Sequence, residues 1–143
     1  MINVVNKRTF KGKHGVYIGR GSVLGNPYTH KQGTKAEYVV GSVQEAVDYY
    51  EGYLFGKVVT KDKDICNELN SLYKYYKEHG ELNLICYCKW KGQEPCHGDV
   101  IKNMLESALR KSADIWWRMS MKYLVRFIEI PSNIAFKEPY SRF

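Results

Sequence analysis

Apolar positions along the chain repeat with two different periods, and their order predicts an α/β protein. Short, nearly continuous runs at Ile2 to Val5, Val16 to Ile18 and Leu82 to Cys88 predict strands. The last is unbroken enough to suit an inner strand covered on both faces. Other segments repeat at helical spacing. Val43, Ala46, Val47, Tyr50 and Leu54 form one stripe, and Ile65, Leu69, Leu72, Tyr73 and Tyr76 a second. Val100, Ile101, Met104, Leu105, Ala108 and Leu109 form a third. Each stripe is the buried face of a predicted helix.

Punctuation sets the predicted ends. Ser42 with Glu45 reads as a capping box opening the first helix, and Gly56 suggests its end. The second runs from about Asp64 to His79, with Lys77 and His79 at the negative end of the dipole and Gly80 at C′. The third starts at about Asp99. Val58 to Lys63 fits neither period, and residues 29–41, with Gly33 and Gly41, predict a loop. Tyr123 to Ile130 has strand composition, followed by a segment punctuated by Pro131 and Pro139. The pattern breaks near Lys111 to Met121, around Trp116 and Trp117. The roughly 20 residues beyond are too few for a domain of their own. The expectation is one domain over residues 1–143. Its core, residues 1–111, holds a mostly parallel sheet of about three to five strands flanked by helices, Rossmann-like in arrangement. Residues 112–143 form an extension that adds a strand and an arm.

Composition narrows the partners. Twenty-two Lys and Arg against 15 Asp and Glu leave a net charge of +7, which favours anionic partners such as nucleotides, nucleic acid or acidic protein. The charges are dispersed, so simple solubility explains them equally well. Twelve tyrosines and three tryptophans are many for 143 residues. Such rings stack on bases in some proteins and fill cores in more. No apolar run approaches the ~20 residues of a membrane span. The first residues lack the apolar segment of a signal peptide. The expectation is a cytosolic protein with reduced thiols and no membrane partner, in which clustered cysteines point to metal or reactivity.

Two motifs carry candidate chemistry. Gly19-Arg20-Gly21-Ser22-Val23-Leu24-Gly25-Asn26-Pro27 is a glycine loop after a predicted strand. Its backbone N–H groups can cradle an anion, and Arg20 can pair bidentately with phosphate or carboxylate. It matches neither the P-loop nor the dinucleotide fingerprint. A tight structural turn is the bland alternative. The second motif spans residues 86–99, where three of the four cysteines and one histidine fall at a strand-to-helix handover. In α/β folds that is where ligands bind.

Three readings of this cluster stand open. Cys86, Cys88, Cys96 and His97 together make a possible zinc set, although Cys-x-Cys is an unusual spacing that would put both sulfurs on one strand face. This weighs against a structural zinc, and the primary expectation is no cofactor. Alternatively, Cys96 at a helix N-terminus beside a histidine is a candidate low-pKa nucleophile. In the third reading His97, Gly98 and Asp99 carry the catalytic or binding role, with Gly98 letting a ligand approach the helix N-terminus. Asp99 as a plain N-cap is its competitor. Cys66 and His79, on the second helix, look structural.

The motifs occur in a series: Gly-Arg-x-Ser-x-Leu-Gly-Asn-Pro-aromatic at Gly19 to Tyr28, then Glu-Ala-Val-x-x-Tyr at Glu45 to Tyr50. A strand ending in Cys-x-Cys and a Pro-Cys-His-x-Asp helix start follow within Leu84 to Val100. The series resembles Domain of Unknown Function family 4326, found in bacteria and many bacteriophages, over roughly residues 3 to 108. The resemblance implies a small α/β fold and a shared site of Arg20, Ser22, Asn26, Cys88, Cys96, His97 and Asp99. It implies no reaction. This chain has a longer loop between Cys88 and Pro95 than the family pattern. The residues after about Lys111 have no counterpart in it.

Taken together, the expectation is a pocket for a nucleotide-like or other phosphate-bearing ligand. Arg20, Gly21, Ser22, Asn26, Cys88 and Gly98 would bind it, with His97, Asp99 and Cys96 available for chemistry. Arg20 and the third helix's N-terminus would hold the anion, and Asp99 would orient His97 or the ligand. The alternative is a non-enzymatic, phage-type module that engages nucleic acid or a host protein through a basic, aromatic surface.

Overall fold

The computed structural model describes residues 1–92 and 94–115, with the backbone alone at 112–115. The predicted strand Tyr123 to Ile130, the arm and the break at Trp116–Trp117 lie outside the described residues.

The elements run β1 (Ile2–Asn6), β2 (Gly15–Tyr17), β3 (Tyr28–Thr29), β4 (Tyr38–Val39), α1 (Val43–Val59), α2 (Lys63–His79), β5 (Leu82–Cys86) and α3 (His97–Ile115). Two all-parallel sheets result: β1-β5-β2, and the small pair β3-β4. This is a small α/β fold.

Register explains the layering. Ile2 pairs with Leu82, Val4 with Leu84 and Asn6 with Cys86. Side chains alternate along a strand, so these six share one face. That face joins the core with Ile18 of the β2 end and with Tyr50, Leu69, Ile101 and Leu105 of the helices. The opposite face is mixed, with Val5 paired to Ile85 beside a pair of asparagines. There Asn3 Nδ2 donates to Asn83 Oδ1 at 3.1 Å, and Asn83 Nδ2 donates to the Lys13 carbonyl at 2.9 Å. The segment after β1 folds back here, and Gly15 lets Phe10 and Ile85 close over it; a Cβ would sit 2.9 Å and 2.5 Å from them.

The predicted caps are present, except that the Glu45 carboxylate accepts from the Gly41 N–H at 2.6 Å rather than from Ser42, which leaves the capping box half made. Ser42 Oγ accepts from the Glu45 N–H at 3.1 Å, and Gly80 takes a left-handed φ of 72° to end α2. Five boundaries differ. Helix α1 passes Gly56 because Val58 beyond it is buried in the core; that burial outweighs the roughly 1 kcal/mol cost of a helical glycine. Asp62, not Asp64, opens α2, its carboxylate accepting the Ile65 N–H at 3.1 Å. Strand β5 ends at Cys86, so Cys88 lies in the bend beyond it. Helix α3 starts at His97, ahead of Asp99. The predicted loop at residues 29–41 holds the end of β3 and all of β4, and Tyr28 stacks on Tyr38 at 5.2 Å.

Candidate functional site

The carboxyl ends of β5 and β2 place both motifs on one rim. The glycine loop leaves β2 through Ile18 and is a tightly bonded turn. Ser22 N–H and Oγ both donate to the Gly19 carbonyl, at 3.0 and 2.6 Å, and Gly25 N–H donates to Ser22 at 3.0 Å. The Tyr50 hydroxyl, from α1, donates to the Leu24 carbonyl at 2.7 Å. Asn26 Nδ2 donates to the Ala46 carbonyl of α1 at 3.1 Å. The loop's polar groups are thus largely spent on holding its shape. What it presents is the Arg20 side chain.

The second motif is held just as firmly. Lys89 Nζ lies 3.1 Å from Asp99 Oδ2, and Lys89 is only 14% exposed. Trp90 N–H donates to the Cys88 carbonyl at 3.0 Å, and Glu94 accepts from the Lys91 N–H at 2.7 Å. These contacts turn the long loop back, so that Cys88 and Cys96 approach Cys86. Cys96 occupies the cap position of α3. Its sulfur accepts from Gly98 N–H at 3.3 Å, while Asp99 Oδ2 accepts from Cys96 N–H at 3.3 Å. A cysteine does the work usually given to Ser or Asp.

The sulfurs of Cys86, Cys88 and Cys96 all lie within 4.8 Å of one another, and Cys86 and Cys96 are 3.0 Å apart. No cysteine among the described residues is in a disulfide. Such a group of thiols is able to hold a metal ion. Without one, Cys86 is held far below the usual thiol range, first by its hydrogen bond from Cys88 and then by that from Cys96. Cys88 and Cys96 are both pushed up, foremost by their hydrogen bonds to Cys86. The three thiols thus titrate as one coupled group rather than as independent residues.

His97 is buried. Its Nε2 lies 2.7 Å from the Ile18 carbonyl, which can only accept, so Nε2 carries the proton. Burial lowers the ring's pKa, against the pull of that hydrogen bond. Nδ1 then offers a lone pair 3.8 Å from the Cys96 sulfur. Tyr50 meets the ring edge-to-face at 5.1 Å.

A cavity of about 350 Å³ lies between the motifs. Arg20, Asn26, Cys86, Cys88, Cys96 and His97 all line it, with Tyr17, Tyr28 and Tyr87 supplying aromatic wall. Four expected site residues are elsewhere. Gly21, at φ 95°, and Ser22 shape the turn without reaching the cavity. Gly98 is a packing glycine: a Cβ would stand 2.7 Å from Val4 Cγ1 and 3.0 Å from Ile18 Cδ1. Its N–H goes to Cys96, so this helix N-terminus is capped by a side chain rather than open to an anion. Asp99 faces a second cavity, between α1 and α3, with Asp48 and Glu51. It does not orient His97; Ile18 does. The sequence reading missed Tyr17, Lys31 and Tyr87 as lining residues. Only the aromatic residues flanking both motifs hinted at them.

A small parallel α/β fold thus brings three thiols, a histidine and an arginine together at its strand ends. The chain matches the family described as Domain of unknown function (DUF4326) over residues 2–107, and it belongs to that family. No curated protein and no solved structure matches it. Among the described residues no helix is long and apolar enough to cross a membrane.

Proposed function

We propose that this protein binds a phosphate-bearing, nucleotide-like small molecule in the cavity between the Arg20 loop and the Cys-His segment. One observation carries the reading. Arg20 lines the cavity with neither a hydrogen-bond nor an ion-pair partner for its guanidinium among the described residues. A guanidinium that meets no carboxylate is a ready bidentate clamp for phosphate. Lys31 and His30 line the same cavity, and Tyr17, Tyr28 and Tyr87 give it an aromatic lining against which a base can pack. The anion is held by Arg20 and Lys31, not by the start of α3. Any acid–base role of His97 runs through Nδ1, because Nε2 is committed to Ile18. We place the protein in the cytoplasm, on the strength of its unpaired cysteines.

A second reading has its own support. At the mouth, Lys7 sits over Tyr17 at 4.5 Å, and Arg8 over Trp90 at 5.2 Å. Trp90 is exposed. Cations interleaved with rings suit single-stranded nucleic acid. Such a strand would cross the rim rather than enter the cavity.

Thermal denaturation with AMP, inorganic phosphate and a short oligonucleotide tests both. A nucleotide at 100 times its Kd should stabilise the fold by about 2.7 kcal/mol. Arg20→Ala should remove most of that shift and Lys74→Ala, on the outer face of α2, none. If no phosphate compound shifts the melting curve, or Arg20→Ala leaves the shift intact, the cavity reading is wrong. A shift by the oligonucleotide alone, lost in Arg8→Ala, would favour the rim.

A further inference from the structure

Three thiols that converge without forming a disulfide need an explanation beyond packing. Apolar cores seldom gather sulfurs whose protons must be shared. Here Cys86 comes from the end of β5, Cys88 from the bend after it and Cys96 from the cap of α3, so three separate backbone devices deliver one cluster.

We propose that Cys86, Cys88 and Cys96 bind a zinc ion through three thiolates, with the fourth coordination position facing the cavity. Tetrahedral zinc with Zn–S bonds of about 2.3 Å sets its sulfurs roughly 3.8 Å apart. The cluster's sulfurs, all within 4.8 Å of one another, bracket that spacing. The closest pair, at 3.0 Å, needs to open by less than about 1 Å. The objection from Cys-x-Cys spacing falls away, because Cys88 is not on the strand with Cys86. Thiolates also favour zinc over the hard cations.

The surroundings suit a metal thiolate. Gly98 N–H donates to the Cys96 sulfur at 3.3 Å, an interaction that survives loss of the thiol proton. His97, fixed through Nε2 on Ile18, stands behind the same sulfur. Zinc with three thiolates carries one net negative charge, and Arg20 on the shared wall offsets it. On binding, the remaining thiol protons pass to solvent and no redox change occurs. Three protein ligands with one open position is the arrangement in which zinc contacts a ligand rather than only holding a fold. The centre would thus form the floor of the cavity, whatever ligand the cavity takes.

The test uses the full chain, purified under reducing conditions and freed of metal. With all thiols titratable, one zinc per chain should bind. Cys88→Ser should weaken zinc at least about tenfold, the low end of what even an outer-shell loss costs. Cys66→Ser, a buried thiol on α2, should leave the affinity unchanged and so carries any general cost of losing a thiol. Cobalt in place of zinc should give thiolate charge-transfer bands, and imidazole should shift its ligand-field bands by entering the open position. Failure of fully reduced protein to bind stoichiometric zinc would overturn the proposal. Equal affinity in Cys88→Ser, or cobalt bands indifferent to imidazole, would overturn it too. Lys31→Ala should keep zinc while weakening phosphate binding, so this proposal and the cavity reading fail separately.

Discussion

At the scale of single residues, the site is built from side chains in unaccustomed roles. Cys96 caps a helix, and Gly98 behind it is there for want of a side chain. Its missing Cβ is the gap into which Val4 and Ile18 fit. Gly98→Ala should therefore overpack the seam between α3 and the sheet. The expected cost is about 1–3 kcal/mol in urea denaturation, although alanine is the better helix former. A neutral or stabilising result would show that α3 starts with slack. Tyr50 makes a complementary case. Phenylalanine there keeps the ring against His97 but strands the Leu24 carbonyl, so Tyr50→Phe should cost about 1–3 kcal/mol. Because that hydroxyl ties the Arg20 loop to α1, the variant should also weaken phosphate binding, which titration calorimetry would detect.

At the scale of elements, the corner between α1 and α2 depends on Asp62. Its carboxylate accepts the Ile65 N–H and lies 3.4 Å from Lys57 Nζ. Hydrogen bonding from Ile65, then Lys57, lowers its pKa below the ordinary 3.8. A depressed acid stabilises the fold above its unfolded-state pKa and loses that contribution as the pH falls through the folded value. Stability should thus decline below pH 3.8. Asp62→Asn, which keeps a cap acceptor but cannot titrate, should flatten this part of the acid limb. Chemical denaturation at stepped pH measures it, and an unchanged limb would assign acid sensitivity elsewhere.

The elements also show what was legible in the chain. Ser42, Glu45 and Gly80 were readable because capping chemistry is local, and β5 because its apolar run is dense. The end of α1 was not, since the burial of Val58 that carries the helix past Gly56 is a tertiary fact. Strands β3 and β4 have two residues each, too few to show any period. The start of α3 was misplaced because a capping cysteine leaves no familiar signal. Arg20 and the Cys-His cluster stood out by residue type. That they share a cavity while Gly98 and Asp99 do not depends on packing against Val4 and Lys89.

For the molecule as a whole, the charge of +7 sets the background against which specific binding must be measured. A nucleotide held in the cavity meets Arg20 and Lys31, so its affinity should fall only shallowly with salt. Each phosphate neutralised on a single strand adds a slope of about 0.7 in log affinity against log salt. AMP binding measured across salt concentrations should therefore stay on the shallow side and be indifferent to Arg8→Ala. A steep slope with sensitivity to Arg8 would move the function to the rim.

The order β1-β5-β2 also governs how the chain can assemble. The central strand is the last of the five described strands along the sequence, and Ile2 waits for Leu82, Asn3 for Asn83. Until that stretch leaves the ribosome, neither N-terminal strand has its partner, and their amides can be satisfied only by water. The loop-closure entropy of bringing such distant residues together is spent before any sheet contact repays it. The same strand then ends at Cys86 and delivers the first sulfur of the cluster. Completing the sheet and assembling the site are thereby a single event.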